Sequence, residues 1–228
     1  MSILSLVMNM KNILKNERKN IVLSLAVGTV LALIFTVGFS IKLYADSTQA
    51  SIASKVIRLH VIANSDSDYD QTLKLKVRDG ILSLMKDKME NCENRQQSVD
   101  TLRESLADMQ SMAEEILKEE NCFDNVAVSF ENCVFPVKKY GNVTLPSGRY
   151  DAVRVEIGSA SGHNWWCVMY PSLCFYDSEN GDEMVCDNKL KNILTPEEYS
   201  VVVGSEKVNV KFAAVEAVKK IENYFNGD

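Results

Sequence analysis

The sequence predicts an α+β fold: a single exported domain with a mixed or antiparallel sheet packed against helices, preceded by an N-terminal membrane or signal helix. An uncharged apolar run at 21–41 follows a basic start. Beyond it, patterns typical of one strand, two helices, several strands and further helices follow in that order, rather than in strict α/β alternation. With 228 residues, 46% of them hydrophobic and 25% charged, the chain suits one globular domain with an appendage.

Composition divides the first 54 residues into three segments. Residues 1–20 are basic and are predicted to be cytoplasmic, and residues 42–54, mostly small and polar, are predicted to be a linker. Residues 21–41 lack charge, and as a helix they would span about 30 Å, the thickness of a bilayer's hydrocarbon core. A basic flank before such a run predicts export of the residues beyond it, here an α+β domain at 55–228. Retention as an anchor and cleavage as a signal peptide both stay open, although the run is longer than the usual signal-peptide core.

The charge is distributed unevenly along the chain. The whole chain carries −6 and residues 1–45 carry +4, so residues 46–228 carry −10. An acidic domain argues against nucleic acid as a partner, because nucleic-acid binding needs a basic surface. It favours a partner with a basic surface, or simply solubility. No Gly-rich phosphate loop, zinc-protease motif or serine-hydrolase motif occurs, and the sequence predicts no cofactor and no small-molecule substrate.

The first predicted element of the domain is a strand. Residues 56–63 are almost continuously apolar, which predicts a buried or central strand. An NSDSD turn at 64–68 stops this strand and can cap a following helix of about 20 residues. In that helix the apolar residues recur at three-and-four spacing, so we expect Val77 and Ile81 in the core and Lys74 and Lys76 leaning outward.

A second helix, several strands and two further helices are predicted after it. The helix extends from Val99 to Ile116, and strands are expected at 126–130, 134–137, 153–157 and 165–170, the last pairing back on the one before it as a hairpin. A threonine, a proline and two glutamates at 195–198 are typical of a helix start. A terminal helix is expected from about residue 205.

Oxygen-bearing side chains crowd the turn after the first strand. Asn64, Asp66 and Asp68 stand at alternate positions, as at the start of a calcium loop. The rest of a calcium loop is missing, since the sixth position from Asp66 is Gln71 rather than glycine and the twelfth is Val77 rather than glutamate. Turn formation and helix capping explain the cluster, and no metal site is predicted.

The chain has two tryptophans, Trp165 and Trp166, adjacent in a predicted strand after a glycine- and serine-rich loop at 158–162. Successive side chains of a strand point to opposite faces, so one ring can lie in the core while the other meets a partner. The alternative is that both rings are covered. Because an apolar anchor with a charged rim is typical of interfaces, the two tryptophans and the three polar residues of the turn are candidate partner-binding residues.

The six cysteines all follow the apolar run, and no two of them are spaced as a C-x-x-C pair. Cys167 and Cys174 bracket a strand and a turn and could form a disulfide, with free buried cysteines as the alternative. His163 precedes Cys167 by four residues, so an exported Cys/His-dependent hydrolase acting at the cell envelope is a second hypothesis for function. No catalytic residue is assigned, and the first expectation is a protein that is not an enzyme.

Two long segments of the chain resemble the stage II sporulation protein R family. They are VIRLHVIANSDSDYDQTLKLKVRDGIL at 56–82 and FPVKKYGNVTLPSGRYDAVRVEIGSASGHNWWCVMYPSLCF at 135–175. The N-terminal membrane segment is also that family's arrangement. The resemblance implies a signalling protein of endospore-forming bacteria, made in the forespore and exported into the space between the forespore and mother-cell membranes.

The same resemblance implies the partners. Such proteins activate a membrane-embedded aspartic protease of the mother cell, which removes the pro-sequence of sigma-E. The expected partners are therefore that protease and, through residues 21–41, a membrane, with no nucleic acid and no small-molecule substrate. The resemblance does not indicate which surface meets the protease.

Overall fold

A computed structural model describes residues 3–173 and 183–203. The chain divides into two compact units, Met1–Asp46 and Ser47–Asp228. The helices and strands follow in this order: α1 (Ile3–Ala53), β1 (Ile57–Ile62), α2 (Asp68–Glu90), α3 (Arg95–Glu104), α4 (Leu106–Glu119), β2 (Val126–Phe135), β3 (Lys138–Tyr140), β4 (Val143–Leu145), β5 (Gly148–Ile157), β6 (Asn164–Tyr170), α5 (Glu183–Ile193) and α6 (Pro196–Val203).

Helix α1 contains the apolar run. From Glu17 onward it is long and apolar enough to cross a membrane, by length and composition, as both an anchor and a signal sequence would be. The predicted linker at 42–54 differs from the structure, because α1 continues through Ala53. Ile52, near the end of the helix, is fully buried within the second unit, to which it belongs.

Strands β2, β5, β1 and β6 form a four-stranded sheet in that order. Strand β1 is parallel to β5 and antiparallel to β6, so the sheet is mixed, and the α+β prediction is confirmed. Every residue of β1 is buried, which fits the predicted central strand. The predicted hairpin at 165–170 is wrong, because β6 pairs with β1 rather than with β5. The two strands predicted at 126–130 and 134–137 are one strand, β2, which ends before Pro136.

Helices α2, α3 and α4 cover one face of the sheet. Val77 and Ile81 are fully buried there, as predicted, in a core that also holds Leu59 and Val155. The single helix predicted from Val99 to Ile116 is broken at Ser105 into α3 and α4. Ser105 ends the first of these helices and begins the second.

A second core lies on the opposite face of the sheet. The last turn of α1, the β3–β4 hairpin and helices α5 and α6 contribute to it.

The predicted helix start at 195–198 is confirmed, because Glu198 N–H donates to Thr195 Oγ1 (3.3 Å) and Thr195 N–H donates to Glu198 Oε2 (2.7 Å). Burial opposes ionisation of Glu198, but hydrogen bonds from Lys55, Ser51 and Thr195 outweigh it and lower the pKa. The helix predicted from about residue 205 lies outside the described residues.

Candidate functional site

Two segments far apart in sequence, 64–68 and 158–163, form one surface, which we call the double-loop surface. The N–H of Ser159 donates to Asn64 Oδ1 (2.9 Å), and the hydroxyls of Ser159 and Ser161 each donate to Asn64 O (2.8 Å). Gly162 N–H donates to Ala63 O (2.9 Å) at the end of β1. The turn that holds the polar candidate residues therefore lies against the loop that precedes the tryptophans, and backbone and side-chain hydrogen bonds fix their relative positions.

An exposed carboxylate and imidazole form the second link across the double-loop surface. Asp66 Oδ1 accepts hydrogen bonds from both the backbone N–H and the Nδ1 of His163 (2.5 Å each). The hydrogen bond from that backbone N–H, with the side-chain bond and the charge of His163, lowers the pKa of Asp66. The Asp66 and His163 side chains remain 55% and 79% exposed, so a partner can reach both.

The rest of the NSDSD turn begins helix α2. The N–H of Asp70 donates to Ser67 Oγ (3.1 Å), which makes Ser67 the N-cap, and Asp68 lies in the first turn, where a negative charge is favourable. Asp70 is buried and accepts from Ser65 Oγ (2.5 Å). Among the described residues no group of three acidic, histidine or cysteine side chains could hold a metal ion.

Lys74 lies beneath the double-loop surface, where we expected it to lean outward. It is 5% exposed, and its Nζ donates to His163 O (3.1 Å) and Gln71 Oε1 (2.6 Å). Burial lowers the pKa of this ammonium group. The expectation was wrong because the loop between β5 and β6 covers a helix position that the apolar spacing alone assigns to solvent.

Two glycines allow the segments to approach each other. Gly158 has φ of +58°, a left-handed conformation that glycine adopts at little cost, and a Cβ there would collide with the side chain of Asn64. A Cβ at Gly162 would collide with the backbone of Ser65. Backbone cannot give way as a flexible side chain can, so we infer that Gly162 sets the spacing of the double-loop surface.

The two tryptophans lie on opposite faces of the sheet, and both are partly exposed. Trp165 is on the face covered by α2, where the guanidinium carbon of Arg78 lies 4.9 Å from the ring centroid. Trp166 is on the other face, stacked on His60 with ring centroids 3.7 Å apart and 16° between the planes. Its ring also meets Phe135 edge-on at 4.7 Å.

Arg58 is a buried residue that sequence reasoning missed. It is fully buried, and its guanidinium carbon lies 4.2 Å from the ring centroid of Phe135 and 5.0 Å from that of Tyr150. Its Nε donates to Cys167 O and its Nη2 to Tyr140 Oη, while Nη1 has no hydrogen-bond partner. Burial lowers the pKa of this group. The sequence shows only an arginine within an apolar strand. That pattern does not indicate whether the guanidinium is enclosed by aromatic rings or reaches solvent.

His60 is a neutral histidine beside this enclosure. Its Nε2 donates to Asn164 Oδ1 (2.6 Å), and burial lowers its pKa to about 4. As the pH falls below 6.5, the ordinary value, the unfolded chain takes up a proton that the folded chain does not, so stability falls with pH.

We expect this histidine to cost about 2 kcal/mol of folding free energy between pH 6.5 and 4.5, allowing for partial solvent screening of the ring. Denaturant unfolding of the full chain in detergent at several pH values measures the effect. His60→Phe keeps an aromatic ring against Trp166 but cannot titrate, so its stability should depend less steeply on pH than that of the wild type. Parallel slopes for the two proteins would contradict the expectation.

The cysteines do not favour the hydrolase hypothesis. Cys167 is disulfide-bonded and 7% exposed, so it offers no free thiolate to act as a nucleophile. Its predicted partner, Cys174, lies outside the described residues, and that pairing stays a prediction. Among the cysteines in the described residues, Cys92, Cys122 and Cys133 are free.

Comparisons with known proteins single out one family. The family model described as stage II sporulation protein R matches residues 53–180. A protein of that name from Bacillus subtilis (strain 168) is 36% identical over 131 residues, which are 58% of this chain and 58% of that protein. The match therefore spans less than two thirds of the relative's length. No solved structure matches the chain at a significant level.

Proposed function

The chain belongs to the stage II sporulation protein R family, and from that premise we propose that it is an exported signal of sporulation. It passes from the forespore into the space between the forespore and mother-cell membranes, either anchored there or released by cleavage. There it activates a membrane-embedded aspartic protease of the mother cell, and the protease then processes pro-sigma-E. The chain itself performs no catalysis in this proposal.

The double-loop surface is the observation that carries the proposal. It presents an exposed carboxylate on Asp66 and an exposed imidazole on His163. The partly exposed ring of Trp165 follows two residues later in β6, on the face of the sheet that α2 covers. Hydrogen bonds between the two segments hold Asp66 and His163 in place in the absence of a partner. A preorganised surface loses less conformational freedom on binding, which suits recognition of a protein partner.

Activation by binding requires a difference in affinity. A ligand shifts a two-state protein only as far as it binds one state more tightly than the other. The double-loop surface must therefore fit the active arrangement of the protease better than the inactive one. A coupling free energy of about 1–3 kcal/mol is typical of such effects and changes the ratio of active to inactive protease by about 5–150-fold.

Reconstitution in a bacterium without sporulation genes tests the proposal. The host would express the protease and pro-sigma-E with or without this chain. We expect processed sigma-E only when the chain is present. Equal processing in its absence would refute the proposal, and an inactive-site variant of the protease, which should give no processing, is the control for host proteases.

A second expectation concerns export. Since a basic flank precedes the apolar run of α1, alkaline phosphatase fused after residue 60 should be active, because this enzyme folds only on the outer side of the cytoplasmic membrane. A fusion after residue 20, before the run, should be inactive and is the matched control. Activity of a cytoplasmic reporter at residue 60 would contradict the orientation.

A further inference from the structure

Strand β2 is an edge of the four-stranded sheet. Among the strands of residues 3–173 and 183–203 it pairs with β5 alone, over ten residues in one unbroken register. Gly158 N–H donates to Asn125 O (2.8 Å), and this pair continues the same register by one residue. In an antiparallel ladder alternate residues bond to the neighbouring strand. The odd-numbered residues of β2 therefore direct their backbone N–H and C=O groups toward β5. The even-numbered residues direct theirs away from β5, toward the open edge.

The outward groups form a row of donors and acceptors. They belong to Val126, Val128, Phe130, Asn132 and Val134. Within residues 3–173 and 183–203 their one partner is the guanidinium of Arg149, which donates to Asn132 O (2.5 Å). A carbonyl oxygen has two lone pairs, so this bond leaves room for a second donor. The row is open to pairing with another strand.

The sequence of β2 has few of the features that usually protect an edge. Exposed edge strands are typically short, bulged, or interrupted by lysine or proline. β2 is ten residues long, has no bulge and carries one charge, Glu131, which is paired with Arg154 of β5 (2.9 Å). At its far end Val134 is 61% exposed. An edge of this kind is expected to be covered by a partner strand.

We infer that β2 pairs in antiparallel fashion with β2 of a second copy of this chain, about a two-fold axis at Phe130. The outward N–H and C=O groups of the even-numbered residues must pair with the same groups of the second copy. The two-fold axis therefore passes through a residue, because an axis between two residues would pair even-numbered with odd-numbered positions. An axis at Glu131 would place two carboxylates opposite each other. The axis at Phe130 places Glu131 opposite Ser129 of the partner subunit, whose hydroxyl can donate to it.

The register at Phe130 also gives apolar contacts along the strand. It pairs nine residues, from Val126 to Val134, and sets the two Phe130 rings side by side. The exposed Val134 of each copy meets Val126 of the partner subunit, which removes apolar surface from water. Two double-loop surfaces would then belong to one dimer, but the pairing does not depend on the proposed function.

A disulfide tests this register directly. Ala127 would lie opposite Cys133 of the partner subunit, in a non-hydrogen-bonded pair with Cα atoms about 4.5 Å apart, which is within the range that a disulfide spans. Ala127 is exposed and Cys133 has a free thiol. Full-length Ala127→Cys, oxidised in isolated membranes, should give a reducible species of twice 25.6 kDa. Peptide mapping should identify the bond between positions 127 and 133.

Two matched variants complete the experiment. Ser129→Cys introduces a thiol two residues along the same face, opposite Glu131, and should not link to Cys133. Ala127→Cys combined with Cys133→Ser should lose the linked species. The inference is overturned if Ala127→Cys gives no link to Cys133, as it would if another protein covers the edge, or if Ser129→Cys links to Cys133 equally well.

Discussion

Trp166→Ala should lower the free energy of unfolding by about 3 kcal/mol, whereas Trp165→Ala should lower it by about 1 kcal/mol and abolish pro-sigma-E processing. Trp166 is packed between His60 and Phe135, with centroid distances of 3.7 Å and 4.7 Å. Truncating a buried large aromatic residue costs about 3–5 kcal/mol. Because Trp166 is partly exposed, the lower end of this range applies.

Trp165 has weaker packing within the fold. One face of its ring meets the guanidinium of Arg78 at 4.9 Å, and such contacts at exposed sites contribute about 0.5–1 kcal/mol. As an interface anchor, however, a tryptophan commonly contributes at least about 2 kcal/mol, which is roughly a thirtyfold change in affinity. Trp165 is the better candidate of the two because it shares a face of the sheet with α2, and the turn that holds Asp66 leads directly into that helix.

Two measurements separate the roles. Denaturant unfolding of each full-length variant in detergent gives the stability change, and the reconstituted processing reaction gives the signalling activity. Trp165→Phe keeps an aromatic ring and serves as the conservative control, with partial activity expected. If Trp165→Ala loses its cooperative unfolding transition together with its activity, the ring is structural and the interface assignment fails.

Local patterns allowed the sequence to predict much of the fold. The apolar run at 56–63 predicted the central strand, and three-and-four spacing predicted the buried face of α2, because both signals depend on residues close together in the chain. The order of strands in the sheet depends on distant segments instead. Nothing in 165–170 distinguishes pairing with β1 from a hairpin with β5, and the hairpin expectation failed for that reason.

In the candidate site too, the sequence predicted the local features and not the contacts between distant segments. Asn64 and Asp66 were recognisable because polar residues crowd a turn. Their partners, Ser159 and His163, lie 95 and 97 residues further along the chain, and no local pattern links them. Sequence spacing alone pairs His163 with Cys167, four residues further on. In the structure it bonds to Asp66, because the loop between β5 and β6 crosses the end of β1.

Val77→Asp should lower the free energy of unfolding by about 4 kcal/mol or more. Val77 is fully buried between α2 and the sheet. A carboxylate there would be desolvated in an apolar core, and an uncompensated buried charge of this kind is among the most destabilising single changes known. Since domains have only about 5–15 kcal/mol of stability, most of the reserve would be lost.

Leu75→Asp is the matched control, because it makes the same type of substitution two residues away. Leu75 is 38% exposed on the outer side of α2, so its replacement should cost about 1 kcal/mol or less. Both variants are compared by denaturant unfolding of the full chain in detergent. Similar losses for the two would show that α2 is not packed as described. The comparison also bears on signalling, since α2 supports the double-loop surface through Asp70, which bonds to Ser65 and Ser67, and through Lys74, which bonds to His163. Val77→Asp should therefore abolish processing by unfolding that support, and Leu75→Asp should leave processing intact.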